Sequence, residues 1–286
     1  MATRSRRTGF LSIAAILVGA LALQGCSSSP DGDDLLGAVK AGKVLTIGTS
    51  NDPPWSSVTG GGDAVGIIPD ILREYAKRAD MPDVKVESTA MPFDSLIPSI
   101  TSGRIQMIGD AMYATAKRAE TVQFSRVLFY NTEALVVAKG NPKNLQSIPD
   151  LCGNVGATYK GTSWVDDLNN ASTKCPGGKS ITVKTYTTVD QVMQDIANGR
   201  VDGGLIDSSL AAYAISQNPD LKIELADKYV PLDREKSNNA LGIKLTDKTF
   251  MASFNKIYTE MLADGTVAKI FEKNGLVPAK VFLPES

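Results

Sequence analysis

Short apolar runs alternate with helical periodicity along most of the chain. The apolar runs have the length and composition of buried strands, and we predict strands at Val44–Gly48, Val84–Ser88, Ile105–Gly109, Ala134–Ala138, Asn154–Ala157, Ile181–Tyr186, Gly203–Ile206 and Leu241–Lys244. Between the strands, apolar residues recur at helical spacing, which predicts helices that include Ile68–Ala79, Ser95–Ser102, Val189–Asn198, Ser208–Gln217 and Asp247–Ala263. Strands that alternate with helices are typical of α/β proteins, so we predict that fold class.

A weak internal repeat divides this pattern into two halves. Residues 95–106 and 191–202 both read as a helix, a glycine, an arginine and the start of a buried strand, and Asp110 or Asp207 comes soon after. Chance similarity between common helix–strand units is the alternative. A true repeat predicts two similar lobes, each with polar groups at the carboxyl end of a strand, where open α/β sheets bind ligands.

The first residues have the pattern of an export signal. A basic start precedes an apolar run, Phe10–Leu23, that is short for a helix crossing a bilayer. The run ends in Leu23-Gln24-Gly25-Cys26, which resembles a bacterial lipobox. We therefore predict that residues 1–25 are a signal peptide and that Cys26 becomes the lipidated first residue. The alternative is an ordinary secretory signal in which Cys26 is incidental.

The composition of the segment after this cysteine predicts a tether. Residues 26–42 begin with small and polar side chains that cannot build a core, and they end in a short helix that Gly42 should stop. The resulting location is the extracytoplasmic face of a bacterial cell membrane, with the lipid as the anchor. No later apolar run approaches the length of a membrane span.

Two further cysteines remain once Cys26 is assigned to the lipid. Cys152 and Cys175 form an even pair in an oxidising compartment, which predicts a disulfide between them. Two buried thiols are the alternative.

Composition narrows the chemistry that is available. The 30 basic and 31 acidic residues of this 286-residue chain are balanced, which argues against a nucleic-acid partner. The chain contains no histidine, so histidine-based catalytic triads and histidine metal sites are excluded. We expect no metal and no cofactor.

Several short motifs occur in an order that resembles a known family. They are Gly48-Thr49, Pro53-Pro54-Trp55, Gly66 with Asp70, Phe93-Asp94-Ser95-Leu96, Thr115-Ala116-Lys117-Arg118, Phe124-Ser125, Gly161-Thr162-Ser163, Asn198-Gly199-Arg200-Val201-Asp202 and Ala263-Asp264-Gly265-Thr266. Together they resemble the extracellular solute-binding proteins that serve ABC importers of polar amino acids, over Leu45 to Gly275.

The resemblance implies a two-lobed, periplasmic-binding-protein-like α/β fold with two crossing hinge strands. We place these crossings near Glu133–Val137 and Asn238–Gly242. Lobe one would then comprise residues 43–135 plus 240–286, and lobe two residues 138–237.

A ligand carboxylate has a predicted site near Thr115 and Arg118. Thr115 can cap the start of a helix, and Arg118 lies three residues later. Free backbone N–H groups and a guanidinium fork at this position would suit a carboxylate. The alternative is that Thr115 only caps and that Arg118 is a solvated surface charge.

The resemblance places the partner of the ligand ammonium at Asp207. This residue also precedes a predicted helix, so it could simply cap that helix. Thr162 and Ser163 come after Gly161 at another predicted helix start and would hold the far side of the carboxylate. Capping or turn chemistry is their alternative role.

Side-chain recognition is predicted from the remaining positions. Phe93 matches a position that often stacks on the ligand, although it could be a core aromatic. Trp55 either replaces the aromatic residue that the family commonly has before the two prolines or packs in the lobe core. Asp110 would add a carboxylate to the cleft and favour a cationic or amine-rich ligand. The other members of the predicted ligand-binding set are Ala111, Tyr113 and Tyr159.

The predicted function is capture of a polar amino acid or related amine by closure of two lobes, for an ABC permease and its ATPase. Such a protein is not an enzyme. The alternatives are an exported enzyme on the same scaffold, resembling cyclohexadienyl dehydratase, and a ligand sensor for a signalling partner.

Overall fold

A computed structural model describes residues 34–231, 237–277 and 282–285. The predicted signal peptide and the predicted lipidation site at Cys26 lie outside these residues. Within them, no helix combines the length and the apolar character that a membrane span requires.

Helices and strands alternate through the described chain as the sequence predicts. The helices are α1 (Leu35–Gly42), α2 (Ile67–Arg78), α3 (Leu96–Thr101), α4 (Ala116–Ala119), α5 (Trp164–Ser172), α6 (Val189–Ala197), α7 (Ser208–Gln217), α8 (Phe250–Ala263) and α9 (Thr266–Lys273). The strands are β1 (Val44–Thr49), β2 (Ser57–Val58), β3 (Ala64–Val65), β4 (Lys85–Ala90), β5 (Met107–Ile108), β6 (Val122–Phe124), β7 (Phe129–Tyr130), β8 (Glu133–Ala138), β9 (Val155–Tyr159), β10 (Thr182–Tyr186), β11 (Gly203–Asp207), β12 (Ile223–Leu225), β13 (Asn238–Asn239) and β14 (Gly242–Lys244).

Two five-stranded sheets form two lobes, which confirms the predicted fold class. The first sheet has the order β4-β1-β5-β14-β6, and the second has the order β10-β9-β11-β8-β12. In each sheet the first three strands are parallel, and the last two run antiparallel to their neighbours. The two sheets therefore share one topology.

A short two-stranded ladder is formed by the segments at which the chain passes from one sheet to the other. It pairs β7 with β13, so that Asn238 lies opposite Tyr130 and Asn239 opposite Phe129. This ladder includes part of the predicted crossing near Asn238–Gly242. The other predicted crossing segment, Glu133–Val137, belongs to the second sheet as part of β8, and the chain passes between the sheets a few residues earlier.

The helix periodicity in the sequence corresponds to buried faces. In α2 the residues Ile67, Ile68, Ile71, Leu72 and Tyr75 are buried, at the spacing that forms one helix face. The predicted helix over Asp247–Ala263 begins at Phe250 instead, and the Asp247 carboxylate accepts the N–H of Phe250 at 2.9 Å.

The short helix α1 ends differently from the prediction. Gly42 is its last helical residue, and Lys43 adopts the left-handed conformation with a φ of 56°. The N–H of Lys43 donates to the carbonyl of Val39 at 2.8 Å, which closes the last turn.

The structure joins Cys152 to Cys175 by a disulfide, as the cysteine count predicts. Cys152 lies just before β9, and Cys175 lies just after α5. The bridge therefore ties the helix that begins directly after Thr162 and Ser163 to the sheet of lobe two.

Candidate functional site

A cleft between the two sheets is lined by residues located just past the carboxyl ends of strands in both lobes. One cavity in this cleft has a volume of about 260 Å³. Lobe one contributes the loop after β1, with Ser50, Asn51 and Asp52, and lobe two contributes Tyr159 and Leu210.

Most of the predicted ligand-binding residues surround a second, smaller pocket in the same cleft. Its walls contain Phe93, Ala111, Tyr113, Arg118, Tyr159, Thr162, Ser163 and Trp164. These positions come from separate parts of the chain, and all of them except Trp164 belong to the predicted set. The structure brings them together.

Arg118 bridges the two lobes. Its guanidinium donates to the carbonyl of Tyr113 at 2.7 Å and to the carbonyl of Gly161, in lobe two, at 2.8 Å. The guanidinium also lies 5.3 Å from the ring centre of Phe93, within range of a cation–π interaction. Burial lowers the pKa of Arg118 to about 10. The side chain as a whole is half-buried, and its hydrogen bonds hold the guanidinium against both lobes.

The helix start before Arg118 has the predicted cap. The hydroxyl of Thr115 accepts the N–H of Arg118 at 3.3 Å. This capping bond and the bond to the carbonyl of Tyr113 hold the backbone and the guanidinium of Arg118 at the same time.

Four aromatic rings meet across the cleft. Phe93 of lobe one lies edge-to-face with Tyr159 of lobe two at 5.7 Å, and Tyr113 of lobe one lies edge-to-face with Trp164 of lobe two at 5.8 Å. Tyr159 and Trp164 contact each other at 5.7 Å. The Tyr113 hydroxyl donates to the carbonyl of Asn131 at 2.9 Å, so this ring is fixed at its far end.

The turn from β9 to α5 brings lobe two against lobe one. Gly161 has a φ of +83°, and a Cβ at this position would lie 2.9 Å from the Cα of Asp94 in lobe one. Only glycine tolerates both the backbone conformation and this approach. The Thr162 hydroxyl donates to the carbonyl of Tyr159 at 2.9 Å, and Ser163 precedes the first turn of α5 without making a side-chain cap.

Asp207 ends β11 and is 3% exposed. Its carboxylate accepts the N–H of Leu210 at 2.8 Å, which caps α7, and it also accepts the indole N–H of Trp55 at 3.3 Å and the side-chain amide of Asn131. Burial raises the pKa of Asp207 to about 7, against the lowering effect of these donors. The predicted capping role is present, and Asp207 is part of neither the larger cavity wall nor the smaller pocket wall.

Trp55 packs in the core of lobe one, which is the second of its two predicted roles. Its ring is fully buried and stacks on Phe129 with ring centres 4.0 Å apart. Only its indole N–H reaches toward the cleft, where it donates to Asp207 at 3.3 Å. Trp55 therefore positions a carboxylate, and its ring is part of neither the larger cavity wall nor the smaller pocket wall.

Asp110 is 1% exposed and directly precedes Ala111, which lines the smaller pocket. It accepts the N–H of Ser50 and, at 2.7 Å, the N–H of Ala111. Burial raises the pKa of this carboxyl group.

Sequence reasoning missed three residues of this site. Asp52 is 2% exposed and faces the larger cavity, Asn131 links the chain crossing to Asp207, and Trp164 completes the aromatic contacts. Asp52 had one available signal, because it lies shortly after a predicted strand and stands before the two prolines. Asn131 gave no signal, since an isolated asparagine after an apolar run is typical of many turns.

The described residues contain no group of acidic or cysteine side chains arranged to hold a metal ion. The expectation of no cofactor remains a prediction.

Comparison with known proteins identifies the family of this chain. The family model described as bacterial extracellular solute-binding proteins, family 3, matches residues 45–276. The lysine/arginine/ornithine-binding periplasmic protein of Escherichia coli (strain K12) is 29% identical over 242 residues, which cover 81% of this chain and 87% of that protein. The histidine-binding periplasmic protein of Salmonella typhimurium is 28% identical over 234 residues, with coverage of 80% and 86%.

A solved structure gives the same result for the fold. An ancestral arginine-binding protein bound to arginine superimposes with a TM-score of 0.72 at 27% identity, covering 82% of this chain and 99% of that one. These relatives are solute-binding proteins and not enzymes. Since the family model spans both lobes and most of the sequence, the chain belongs to family 3 of the bacterial extracellular solute-binding proteins.

Proposed function

We propose that this protein captures a polar amino acid between its two lobes and delivers it to an ABC-type importer. Arg118 would bind the carboxylate of the ligand, and Asp207 would accept its α-ammonium group. The observation that carries the proposal is that the half-buried Arg118 guanidinium and the buried Asp207 carboxylate each make hydrogen bonds to both lobes.

Arg118 suits a carboxylate because carbonyl groups of both lobes hold its guanidinium in place. Its two hydrogen bonds to carbonyl groups use only part of the guanidinium, which has five N–H donors. Thr162 and Ser163 would hold the opposite side of the carboxylate, since they adjoin the same pocket. Phe93, Ala111, Tyr113 and Tyr159 would form its walls.

Asp207 suits an ammonium group because its geometry is fixed from both lobes. The N–H of Leu210 comes from lobe two, whereas the indole of Trp55 comes from lobe one. An ammonium ligand would add a charge partner that favours the ionised carboxylate. Arg118 can bind only the carboxylate of the ligand, and Asp207 can bind only its ammonium group. Both groups are therefore bound only when the lobes are closed.

Attachment to the membrane would come from a lipid on Cys26, with residues 26–42 as the tether. The permease would recognise the closed surface, and the ATPase would act on the other side of the membrane. The chain itself would perform no reaction, so the bound amino acid should be recovered unchanged.

A thermal-shift screen across the amino acids tests capture, because a ligand that binds only the folded state raises the melting temperature. With the best ligand, Arg118→Ala should weaken binding by roughly 100-fold or more, since a buried carboxylate then lacks its counter-charge. Asp207→Asn should weaken it by roughly tenfold or more while an amide oxygen still caps α7.

Arg104→Ala is the matched control, because Arg104 is an exposed arginine of the same lobe. Equal affinity in the unaltered protein and in the Arg118→Ala variant would refute the proposed site.

A further inference from the structure

Asn131 is a buried residue to which the proposed zwitterion site gives no role. It is 3% exposed and lies between β7 and β8, where the chain first passes from one sheet to the other. Its carbonyl accepts the hydroxyl of Tyr113 at 2.9 Å, and its N–H donates to the carbonyl of Ser237 at 3.2 Å. Ser237 directly precedes β13, in the second passage between the sheets. Lobe one and the second passage therefore both hold the backbone of Asn131.

The side chain of Asn131 makes its hydrogen bonds to the start of α7 in lobe two. Its Nδ2 donates to Oδ2 of Asp207. Its Oδ1 accepts the hydroxyl of Ser208 at 3.1 Å and the hydroxyl of Ser209 at 2.8 Å. An ionised carboxylate can only accept hydrogen bonds, whereas a hydroxyl can donate one. These partners therefore fix the orientation of the amide, with its nitrogen toward the carboxylate.

The neighbours of Asp207 disfavour its negative charge. Asp52 and Asp110 of lobe one lie close to it, and Glu133 lies opposite it in the pairing of β8 with β11. The phenol groups that lie close to it are those of Tyr113 and Tyr159. None of the ion pairs found within the described ranges involves Asp207. The charge of Asp207 therefore depends on neutral hydrogen-bond donors.

The donors to Asp207 come from three parts of the fold. The N–H of Leu210 and the indole N–H of Trp55 bind Oδ1, and the amide of Asn131 binds Oδ2. A donor to the ionised form of a carboxyl group favours that form. Burial raises the pKa of Asp207 to about 7, against the effect of its donors. Loss of one donor would therefore change the ionised fraction of Asp207 near neutral pH.

We propose that Asn131 is a positioning residue, whose amide keeps the Asp207 carboxylate ionised and oriented toward the α-ammonium group of the ligand. Asn131 acts through Asp207 and is not itself a ligand contact. Its backbone is held by lobe one and by the second passage, so the amide reaches Asp207 from a fixed place. This inference rests on the proposed function, since Asp207 is the residue that would accept the ammonium group.

The direction of the pH dependence follows from the state of Asp207 that binds. An ammonium group binds the ionised carboxylate, so affinity falls as the pH decreases through the pKa of Asp207. Loss of the Asn131 amide removes a donor to the ionised form and raises this pKa further. A variant without the amide should therefore lose affinity at a higher pH than the unaltered protein, and it should recover affinity in alkaline solution.

An NMR titration against pH tests this inference without a ligand. The indole N–H of Trp55 donates to Asp207 at 3.3 Å, so its signal reports the ionisation of that carboxyl group. The chain contains 2 tryptophans, and Trp164→Phe removes the other indole signal. In the unaltered protein, the indole signal of Trp55 and the side-chain amide signals of Asn131 should titrate with one midpoint, at about pH 7. Asp207→Asn should abolish this titration in both residues.

Asn131→Ala should raise the midpoint of the Trp55 signal by about one pH unit, which is a tenfold change in the ionisation constant. Asn239→Ala is the matched control. Asn239 is a fully buried asparagine of the second passage, and its side chain donates to the carbonyl of Ser237 at 2.9 Å rather than to Asp207. The control should leave the midpoint unchanged. An equal midpoint in Asn131→Ala and in the unaltered protein would show a merely structural role.

Calorimetric titration measures the consequence for binding. L-arginine and L-glutamine are the probes, because they share the α-ammonium group and differ in the side chain. Asn131→Ala should weaken the binding of both probes by roughly tenfold at about pH 7 and by clearly less at about pH 8.5, where more of Asp207 is ionised. A loss of the same size at both pH values would contradict the proposed effect on ionisation.

The outcomes separate this inference from the proposed function. An unchanged Trp55 midpoint in Asn131→Ala, or Asn131 amide signals that do not follow the Trp55 titration, would overturn the positioning role and leave the Arg118–Asp207 site intact. Unchanged binding in both Arg118→Ala and Asp207→Asn would overturn the zwitterion site instead. The comparison of the Trp55 and Asn131 signals uses the unaltered protein, so its result does not depend on whether a variant folds.

Discussion

The two lobes place Asp110 and Asp207 on the same local framework. In lobe one, the N–H of Gln106 donates to the carbonyl of Thr46 at 3.0 Å, and its side chain accepts the N–H of Thr46 at 2.8 Å. In lobe two, Asp202 makes the same pair of bonds to Val155, at 2.9 Å and 2.8 Å. These matching bonds show that the sequence repeat is structural.

The turns that lead into these strands also match. Gly103 and Gly199 both have left-handed backbones, with φ of +76° and +70°. The next residue donates its N–H to a carbonyl in the preceding helix at 2.9 Å in both lobes, from Arg104 to Ser99 and from Arg200 to Asp195. The repeat is therefore preserved at the backbone up to the strand.

The lobes differ in the element that comes directly after the aspartate. In lobe two this element is α7, so the Asp207 carboxylate receives N–H groups from the helix start. In lobe one this element is a loop. Asp110 lies close to Asp52, which belongs to the loop after β1. The comparison teaches that one framework can present an aspartate as a hydrogen-bonded helix cap or as half of an acidic pair, and the next element of the chain decides which.

The largest expected difference between the lobes concerns the disulfide, which lies in lobe two. Removing it with Cys152→Ser and Cys175→Ser should lower the free energy of unfolding by about 3 kcal/mol, because the bridge closes a loop with a sequence separation of 23 residues. Thermal or denaturant unfolding measures this, and each single serine variant serves as a comparison. Two thiols that react with an alkylating reagent in the native protein would rule out the bridge.

Gly161→Ala tests the contact between the lobes. The new Cβ would meet the backbone of Asp94 at 2.9 Å and would also be strained by the φ of +83°. We expect ligand affinity to fall by roughly tenfold or more, because closure requires this approach, together with a stability loss of about 1 kcal/mol.

Gly199→Ala is the matched control for that variant. Its φ is +70°, and a Cβ there meets nothing within 4 Å. It should lose similar stability in a thermal unfolding measurement and keep its ligand affinity. A similar loss of affinity in both variants would show that backbone strain, rather than the contact with lobe one, causes the effect.

The smallest expected effect tests the matching side-chain hydrogen bonds of the repeat. Gln106→Ala and Asp202→Ala each leave a strand N–H without its side-chain acceptor, so each should lower the free energy of unfolding by about 1 kcal/mol. Asp202→Ala should cost slightly more, because Asp202 also pairs with Lys143 at 2.9 Å. Denaturant unfolding of both variants checks this, and no loss in either would mean that these bonds do not stabilise the repeat.

Much of the fold could be predicted from the sequence because its signals are local. The apolar periodicity of α2 and the glycines at positions 103 and 199 act within a few residues, and their consequences appear where expected. The positions of the two chain crossings are harder to predict, because β7 and β13 are each two residues long and carry little periodicity.

The site was predictable where a residue has a local role as well as a binding role. Thr115 caps the helix that carries Arg118, and Asp207 caps α7, so both left a pattern along the chain. Asp52 and Trp164 left none of comparable strength, because their neighbours in the cleft are distant in sequence. Trp55 could not be assigned for the same reason, since its stacking on Phe129 decides between core and cleft.

The sequence by itself determined the fold class, the internal repeat, the cysteine pairing and the presence of the strands that lead to Asp110 and Asp207. Each of these depends on composition or on spacing over a short stretch of chain. Only the tertiary structure decided that Asp52 meets Asp110 and that Trp55 turns its ring into the core. Burial and charge proximity are properties of the packed molecule, because they arise when distant segments exclude water together.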